Sequence, residues 1–388
     1  MPSWMSEKLK PYGASIFATL GRVARERKCV NLGQGFPDFD GPEAVKEAAC
    51  QAIRDGHNQY APLPGVAPLT QALAEKYNEE AGLDFDPQTE ITVLNGSTEA
   101  MYATLTALIE PGDEVIVFEP IYDTYLPVIQ MNGGKVIAVP LQAPDFTFDA
   151  DRLSAAFGDK TRAIIVNTPH NPTGRVFTAE EMGLIQKLCL QHDVICITDE
   201  VYEHLVFDDH KHIHMAALEG MRERTITISS TAKTFSLTGW KIGYTLAPPK
   251  ATEAIRRIHQ FIAFAVATPL QHGIAAALRR RHQLIPQLAA EMAAKRSFLC
   301  DALADIGFNV TTPQGTFFVL ADFSPFSDQK DLDYALTLLE SEVAVATIPI
   351  SVFYQHQDEA PTNYLRFCFA KTDATLQAGV AQLRRLNA

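Results

Sequence analysis

The sequence contains no apolar stretch long enough to cross a membrane and no run of like charges longer than the three arginines at 279 to 281. A membrane-spanning helix needs roughly 18 or more apolar residues in succession, so we expect no membrane protein. Acidic residues outnumber basic ones by 46 to 33, and the net charge of −13 disfavours nucleic acid as a partner. The opening residues lack the apolar core of a signal peptide, and we expect a cytoplasmic protein.

Cysteine is scarce, with 6 residues in a chain of 388 and no C-x-x-C pair. Most of the cysteines stand inside apolar runs, which is typical of small buried side chains in a reducing compartment. The cluster most typical of a metal site is "HKHIH", in which His210, His212 and His214 would share one face of an extended segment. Its surroundings, "FDDHKHIH", are polar, so we expect a solvated loop or strand edge and no metal.

From about residue 90 to residue 250, seven short apolar runs alternate with longer segments of helical pattern. Each run is apolar almost throughout, as expected of strands that helices cover on both faces. Thr178 and Glu181 have the spacing of a capping box at the start of one intervening helix. The pattern predicts an α/β fold with a mostly parallel sheet. The runs are ITVLN, DEVIVFEP, GKVIAVP, TRAIIVNTP, DVICITDE, TITISS and KIGYTLAP.

After about residue 250 the pattern changes to long helical stretches followed by three further apolar runs, TFFVLADF, VAVATIPI and YLRFCFA. We interpret this part as a second, smaller α/β domain. The prediction is an N-terminal arm with part of the small domain over residues 1–44, a large domain over 45–265 and a small domain over 266–388.

Polar and aromatic residues follow the predicted strands at their carboxyl ends, where open α/β sheets bind ligands. The turn after the first strand opens a helix whose free amides suit a phosphate. Packing or chance explains any one of these residues better than it explains all of them together. They are Gly96, Ser97, Thr98, Tyr122, Asn171, Asp199, Tyr202, Ser230 and Lys233.

Lys233 stands in "SSTAKTFSLTGWKIGY" with no charged residue within five positions on either side. An ammonium in such surroundings suits a pocket, since it loses its hydration there. An amine, a carboxylate, an aromatic ring, an amide and a phosphate-binding turn are together what pyridoxal 5′-phosphate requires. Asp199 would keep the pyridine nitrogen protonated, and Lys233 would act as a general base with a lowered pKa.

Several motifs in this order resemble the class I aminotransferases of the fold type I pyridoxal-phosphate enzymes. The branch most similar to this chain holds the bacterial methionine aminotransferases and the kynurenine and glutamine transaminase K enzymes. The resemblance implies a large domain with a mostly parallel seven-stranded sheet, a smaller α/β domain, a ping-pong transamination and a homodimer with shared active sites. The motifs are NLGQGFPDFDGP, NQYAPLPGV, NTPHNPTG, TDEVYEH, SSTAKTFSLTGWKIGY and LRFCFAK.

The resemblance also implies a role for each residue around the cofactor ring. Lys233 would bond covalently to the cofactor aldehyde, and Asp199 would contact the ring nitrogen. Asn171 and Tyr202 would bond the phenolate oxygen, while Tyr122 would stack on the ring.

The remaining implied roles concern the phosphate and the substrate. Many family members carry arginine where this chain has Lys241, and lysine keeps the charge without the bidentate fork. The implied phosphate contacts are Gly96, Ser97, Thr98, Ser230, Lys241 and, from the neighbouring subunit, Tyr60. The implied contacts of the substrate are Arg366, Gly35 and Asn171 at its carboxylate and Phe17 beside its side chain.

The expected side-chain pocket is apolar, and its segments hold no arginine for a second substrate carboxylate. We therefore expect a donor of methionine, phenylalanine, tyrosine, glutamine or kynurenine type rather than aspartate. Two alternatives stay open: a carbon–sulfur β-lyase with the same cofactor residues, and a cofactor-binding protein without turnover. Gly33 and Gly35 form G-x-G without the third glycine of a dinucleotide loop, so nicotinamide binding is not expected. The expected pocket segments are Phe17, Phe36, Tyr60, Tyr122 and "FIAFAVAT" at 261–268.

Overall fold

The structure is a computed structural model that describes residues 4–13 and 15–387. Its strands and helices alternate along the first two thirds of the chain. The strands are β1 (Val30–Asn31), β2 (Ile91–Asn95), β3 (Glu114–Glu119), β4 (Lys135–Pro140), β5 (Thr161–Asn167), β6 (Ile195–Asp199), β7 (Thr225–Ser230), β8 (Ile242–Leu246), β9 (Asn309–Thr311), β10 (Phe318–Asp322), β11 (Val345–Ala346), β12 (Ile348–Pro349) and β13 (Tyr364–Cys368). The helices are α1 (Ile16–Arg27), α2 (Glu43–Arg54), α3 (Ala67–Ala81), α4 (Gly96–Leu108), α5 (Tyr125–Met131), α6 (Ala150–Ala156), α7 (Ala179–His192), α8 (Thr231–Thr234), α9 (Pro249–Ile262), α10 (Thr268–Arg279), α11 (Arg281–Ile306), α12 (Asp331–Glu340) and α13 (Asp373–Leu383).

The large sheet has seven strands in the order β2-β8-β7-β6-β5-β3-β4. Strand β8 runs antiparallel to both of its neighbours, and the other pairs are parallel. The prediction of a mostly parallel seven-stranded sheet is confirmed. Because β8 runs the other way, its first residues lie at the edge where its neighbours end.

Strand β3 shows why the runs are apolar throughout. Val115 and Val117 pack in a cluster with α4, α5 and α9, whereas Ile116 and Phe118 pack in another with α6 and α7. Successive side chains of a strand point to opposite faces, so a strand covered on both faces has to be apolar at every position. The capping box predicted at the start of α7 is present.

The smaller domain contains a four-stranded antiparallel sheet in the order β12-β13-β10-β9, and β1 pairs in parallel with β11. The N-terminal strand therefore lies with the C-terminal part of the chain. Ile274 of α10 packs with Val45 of α2 and Leu69 of α3 in one buried cluster. We propose that the large domain extends through α10 and that the small domain begins within α11. None of the described helices is both long enough and apolar enough to span a membrane.

The expectation of a solvated histidine cluster is wrong for two of its three residues. The side chains of His212 and His214 are only 6% and 11% exposed, and both contact the buried carboxylate of Glu200. His212 Nε2 lies 2.9 Å and His214 Nδ1 2.5 Å from Glu200 Oε2. His210 is exposed, as expected. The segment is buried because its histidines supply partners to a carboxylate that would otherwise be buried alone.

Candidate active site

A cavity of about 240 Å³ lies at the carboxyl ends of β5 and β6, with walls from both domains and from the N-terminal segment. This is the position expected for a ligand site in an open α/β sheet. The cavity is lined by Phe17, Gln34, Gly35, Phe36, Ser97, Tyr122, Asp123, Asn167, Asn171, Asp199, Val201, Tyr202, Lys233, Phe318 and Arg366.

Lys233 lies on the short helix α8, which follows β7 directly. Its Nζ donates a hydrogen bond to the carbonyl of Gly35 over 3.1 Å and lies 5.0 Å from the ring centre of Phe317. Burial lowers the pKa of Lys233 to about 8, and the charges of Arg366 and Lys241 act in the same direction. The amine is thus held in the cavity in a state that gives up its proton easily.

Asp199 ends β6, and the residue is 6% exposed. Burial raises the pKa of Asp199 to about 6, although a hydrogen bond of 2.5 Å from the Tyr125 hydroxyl opposes that rise. Asn167 stands opposite Asp199 in the neighbouring strand, and its amide donates to the Asp199 carbonyl over 2.9 Å. Tyr125 holds the carboxylate itself, and Asn167 holds the backbone from which that carboxylate faces the cavity.

Arg366 on β13 is 1% exposed, and the carbonyl of Gly33 and the side chain of Asn171 hold its guanidinium. Its Nη1 donates to Asn171 Oδ1 and its Nη2 to Gly33 O, each over 2.9 Å. Its Nε has no partner among the described residues. The Phe318 ring lies 3.9 Å from the guanidinium carbon, and burial lowers the pKa of Arg366 to about 10. A buried guanidinium in this state is suited to pairing with a carboxylate.

The start of α4 forms the end of the site that is suited to a phosphate. A Cβ placed on Gly243 would lie 2.3 Å from the carbonyl carbon of Gly96 and 2.5 Å from the amide nitrogen of Ser97, so the backbones meet only because residue 243 is glycine. Lys241 precedes β8 and brings its ammonium beside Gly96, where a Cβ would lie 3.0 Å from Nζ. Free helix amides next to a cation suit a phosphate group.

Five of the predicted site residues are absent from the lining of this cavity, and two of them, Gly96 and Lys241, lie at the phosphate end of the site. Thr98 is exposed on α4. Ser230 donates its hydroxyl to the Ile242 carbonyl over 3.1 Å and is buried. Tyr60 is 83% exposed, and its ring contacts Phe264 at a centroid distance of 5.6 Å.

The structure brings together the other predicted residues and adds some that the sequence did not indicate. The donor set fits pyridoxal phosphate, with an amine, a carboxylate, an aromatic ring and a helix start around one cavity. Asn167 had a signal in the sequence, since it ends a strand as Asp199 does. Tyr125 had none, because it approaches Asp199 only through the packing of α5. The added residues are Gln34, Asp123, Tyr125, Asn167, Val201 and Phe318.

Comparison with known proteins extends over nearly the whole chain. The family model for aminotransferase class I and II matches residues 27–383. A probable N-succinyldiaminopimelate aminotransferase, DapC, of Mycobacterium tuberculosis is 42% identical over 386 residues, which cover 97% of each chain. Human kynurenine–oxoglutarate transaminase 1 is 37% identical over 397 residues, which cover 94% of each chain.

Solved structures show the same similarity. The structure of YbdL from Escherichia coli, described as having a methionine aminotransferase function, superimposes with a TM-score of 0.95 at 38% identity. The superposition covers 99% of this chain and 100% of that one. The chain therefore belongs to the class I and II aminotransferases, and it is a fold type I enzyme that depends on pyridoxal phosphate.

Proposed function

We propose that this aminotransferase moves the amino group of an apolar or aromatic L-amino acid to a 2-oxo acid by a ping-pong mechanism. Donors of methionine, phenylalanine, tyrosine, glutamine or kynurenine type fit this proposal. The observation that carries it is the composition of the cavity wall, in which Arg366 is the single arginine of the described lining. The side chains beside it are mostly aromatic, and they include Phe17, Phe36, Tyr122 and Phe318.

The names of the relatives suggest different donors, and the cavity favours some of them. The relative of Mycobacterium tuberculosis is named for N-succinyldiaminopimelate. This compound carries carboxylates far from its reacting amine. Within the described part of the protomer, the cations of the cavity wall are Lys233 and Arg366, and both have roles at the reacting end. Methionine and kynurenine need no further cation, so the enzymes named for them are better guides to the donor.

Pyridoxal phosphate, when bound, supplies an aldehyde that takes up the substrate amine and a protonated ring that accepts electrons. We assign Asp199 to the ring nitrogen, Asn171 and Tyr202 to the phenolate oxygen, and Tyr122 to the ring face. The phosphate would lie against the backbone of Gly96, Ser97 and Thr98, with Ser230 and Lys241 beside it. The exposed ammonium of Lys241 and the free start of α4 support this placement.

Two residues act on the substrate itself. Arg366 binds the α-carboxylate, supported by Asn171 and by the backbone of Gly35, and so fixes the α-carbon near Lys233. Lys233 Nζ then takes the proton from the α-carbon of the donor. In the second half-reaction it returns a proton to the α-carbon of the new amino acid. The Lys233 pKa of about 8 leaves roughly a tenth of the amine unprotonated at neutral pH, and a general base requires this form.

We also propose a homodimer in which each active site receives Tyr60 from its neighbour. Tyr60 lies outside the cavity of its own protomer and is exposed among other apolar side chains. Phe261 is 83%, Ile262 47% and Phe264 45% exposed, which is unusual for large apolar residues in one segment. Closed twofold pairs are the commonest assembly of soluble oligomers.

The proposal is tested by offering the holoenzyme methionine, phenylalanine, kynurenine and aspartate with a common 2-oxo acid. We expect turnover with the first three donors and a kcat/KM for aspartate lower by at least about tenfold. The described cavity wall has no further cation to pair with the side-chain carboxylate of aspartate. Faster turnover with aspartate would contradict the proposed donor class. Release of pyruvate from a cysteine conjugate without any oxo acid, with no transamination of methionine, would instead identify a carbon–sulfur β-lyase.

A further inference from the structure

One acidic residue of the cavity wall has no part in the roles assigned above. Asp123 directly follows Tyr122 and lies just before α5, and it lines the same cavity as Arg366 and Lys233. Among residues 4–13 and 15–387, no lysine, arginine or histidine nitrogen lies within 4.0 Å of its carboxylate. Asp123 thus offers acceptor oxygens to the cavity that no ion pair within the protomer occupies.

The side chain of Asp123 is exposed at the cavity wall, although protein atoms surround part of its carboxylate and Arg366 adds a distant positive charge. Burial raises the pKa of Asp123, while the charge of Arg366 and the hydroxyl of Thr124 lower it. A carboxylate that protein atoms partly surround and that lacks an ion pair gains from a ligand that donates a hydrogen bond. It also repels a second carboxylate more strongly than a fully solvated group would.

The residues that hold the reacting end of the substrate leave the substrate side chain facing the cavity wall that contains Asp123. Arg366 holds the α-carboxylate, Lys233 stands near the α-carbon, and Asp199 is engaged by the cofactor ring. The wall then offers the side chain the aromatic rings of Phe17 and Phe36 and the acceptor oxygens of Asp123.

We propose that Asp123 determines the side-chain specificity of the reaction, accepting a hydrogen bond from an uncharged donor and excluding a side-chain carboxylate. The ligand class is an L-amino acid, or the matching 2-oxo acid, whose side chain is apolar or ends in an amide, an aryl amine or a phenol. This inference rests on the proposed function, since it adds a selection rule at the same site.

Glutamine and glutamate test the rule because they differ only in an amide against a carboxylate. We expect the holoenzyme to favour glutamine by kcat/KM in the first half-reaction. Asp123→Asn should reduce the ratio of glutamine to glutamate by roughly tenfold, because it removes one like charge from the cavity wall beside the substrate side chain. Asp123→Glu should keep the preference because it keeps the charge. Asp123→Ser also removes the carboxylate but leaves a smaller side chain, and it should reduce the ratio as Asp123→Asn does.

The control is Asp305→Asn on the exposed face of α11, which removes the same charge away from the cavity and should leave the ratio unchanged. An equal ratio in the parent enzyme, Asp123→Asn and Asp123→Ser would overturn the proposal. So would a loss of preference in Asp123→Glu as large as that in Asp123→Asn.

A second measurement separates this inference from the proposed function. Glutarate and its monoamide do not react, and calorimetry on the holoenzyme gives a dissociation constant for each. We expect the monoamide to bind more tightly, and Asp123→Asn to remove that difference. If no amino acid reacts but this selectivity is present, the donor class fails and the role of Asp123 stands. Equal affinities of the two compounds in the parent enzyme would refute the role of Asp123.

Discussion

The hydroxyl of Tyr125 donates a hydrogen bond of 2.5 Å to Oδ2 of Asp199, the carboxylate at the end of β6. The phenol thereby opposes the rise in the Asp199 pKa that burial causes. We assign Asp199 to the cofactor ring nitrogen, so Tyr125 is a positioning residue that keeps this carboxylate ionised. Neither the chain order nor the residue types around Tyr125 indicate this contact.

Tyr125→Phe should weaken cofactor binding by about tenfold near neutral pH, because a hydrogen bond to a charged group contributes about 1.5 to 3 kcal/mol. Without the bond the pKa of Asp199 rises above its value of about 6, so more of the carboxyl is protonated and uncharged. The deficit should therefore grow as the pH falls towards 6 and shrink at alkaline pH. Cofactor titration of the apoenzyme at several pH values measures it.

Tyr334→Phe is the matched control, since the buried hydroxyl of Tyr334 has no partner among the described residues. Its loss should leave cofactor binding unchanged. A deficit of the same size in both variants, or one independent of pH, would show that Tyr125 acts only through packing.

Gly243→Ala should disrupt the phosphate end of the site. The new Cβ would lie 2.3 Å from backbone atoms of Gly96, so the start of α4 has to move. We expect a large loss of cofactor affinity together with a lower melting temperature, since the clash is with backbone. Gly239→Ala is the control in the same segment, because a Cβ there has no neighbour within 4 Å. Unchanged cofactor affinity in Gly243→Ala would contradict the placement of the phosphate.

The buried ion pair of Lys76 and Glu203 stabilises the large domain. Lys76 Nζ lies 2.6 Å from Glu203 Oε2, and the side chains are 0% and 2% exposed. Lys76→Met should lower the free energy of unfolding by about 3 to 5 kcal/mol, because it leaves a buried charge without its partner. Urea denaturation measures this change. The exposed pair of Lys46 and Asp40 is the control, and Lys46→Met should cost less than about 1 kcal/mol.

The pH dependence of the same variant gives an independent test. In the parent protein the pKa of Glu203 is lowered, since nearby cations, above all Lys76, outweigh the effect of burial. The pair therefore contributes stability above the unfolded pKa of the carboxyl, and this contribution is lost in strong acid. In Lys76→Met, protonation of Glu203 relieves the buried charge, so the destabilisation should become smaller below roughly pH 5. A destabilisation that is constant with pH would contradict the ion-pair account.

Phe261→Glu should convert the proposed dimer to monomers. The residue is 83% exposed at the end of α9, three positions before Phe264, which contacts Tyr60, and a charge there opposes burial at an interface. Sedimentation velocity measures the assembly of the parent and the variant. Phe298→Glu, at another exposed phenylalanine on α11, should leave the assembly unchanged. A parent protein that is monomeric and fully active would contradict the shared sites.

The parts of the site that could be predicted are those at strand ends. Asn171, Asp199 and Lys233 follow apolar strands, and parallel strands bring their carboxyl ends to one edge of a sheet. Tyr125 could not be predicted because its contact depends on how α5 packs against the sheet. Lys241 lies beside Gly96 because β8 runs antiparallel to its neighbours. The apolar run KIGYTLAP predicts a strand but does not indicate its direction.

The histidine segment shows a different reason for failure. Its polar composition is the same for a solvated loop and for partners of a buried carboxylate. The signal lay in the pair Asp199 and Glu200, since successive residues at a strand end face opposite sides. Since Asp199 faces the cavity, Glu200 has to point to the opposite side, where it is buried. His212 and His214 are its partners there.

The central claim is that Lys233 binds the cofactor and moves the substrate proton. It is tested most directly by the near-ultraviolet and visible absorbance spectrum of the purified holoenzyme, before and after methionine is added without any oxo acid. We predict a cofactor band that shifts to that of the amine form, and no such shift in Lys233→Ala. A protein that gains no cofactor band when pyridoxal phosphate is supplied, or a Lys233→Ala variant that converts methionine as the parent does, would contradict the account.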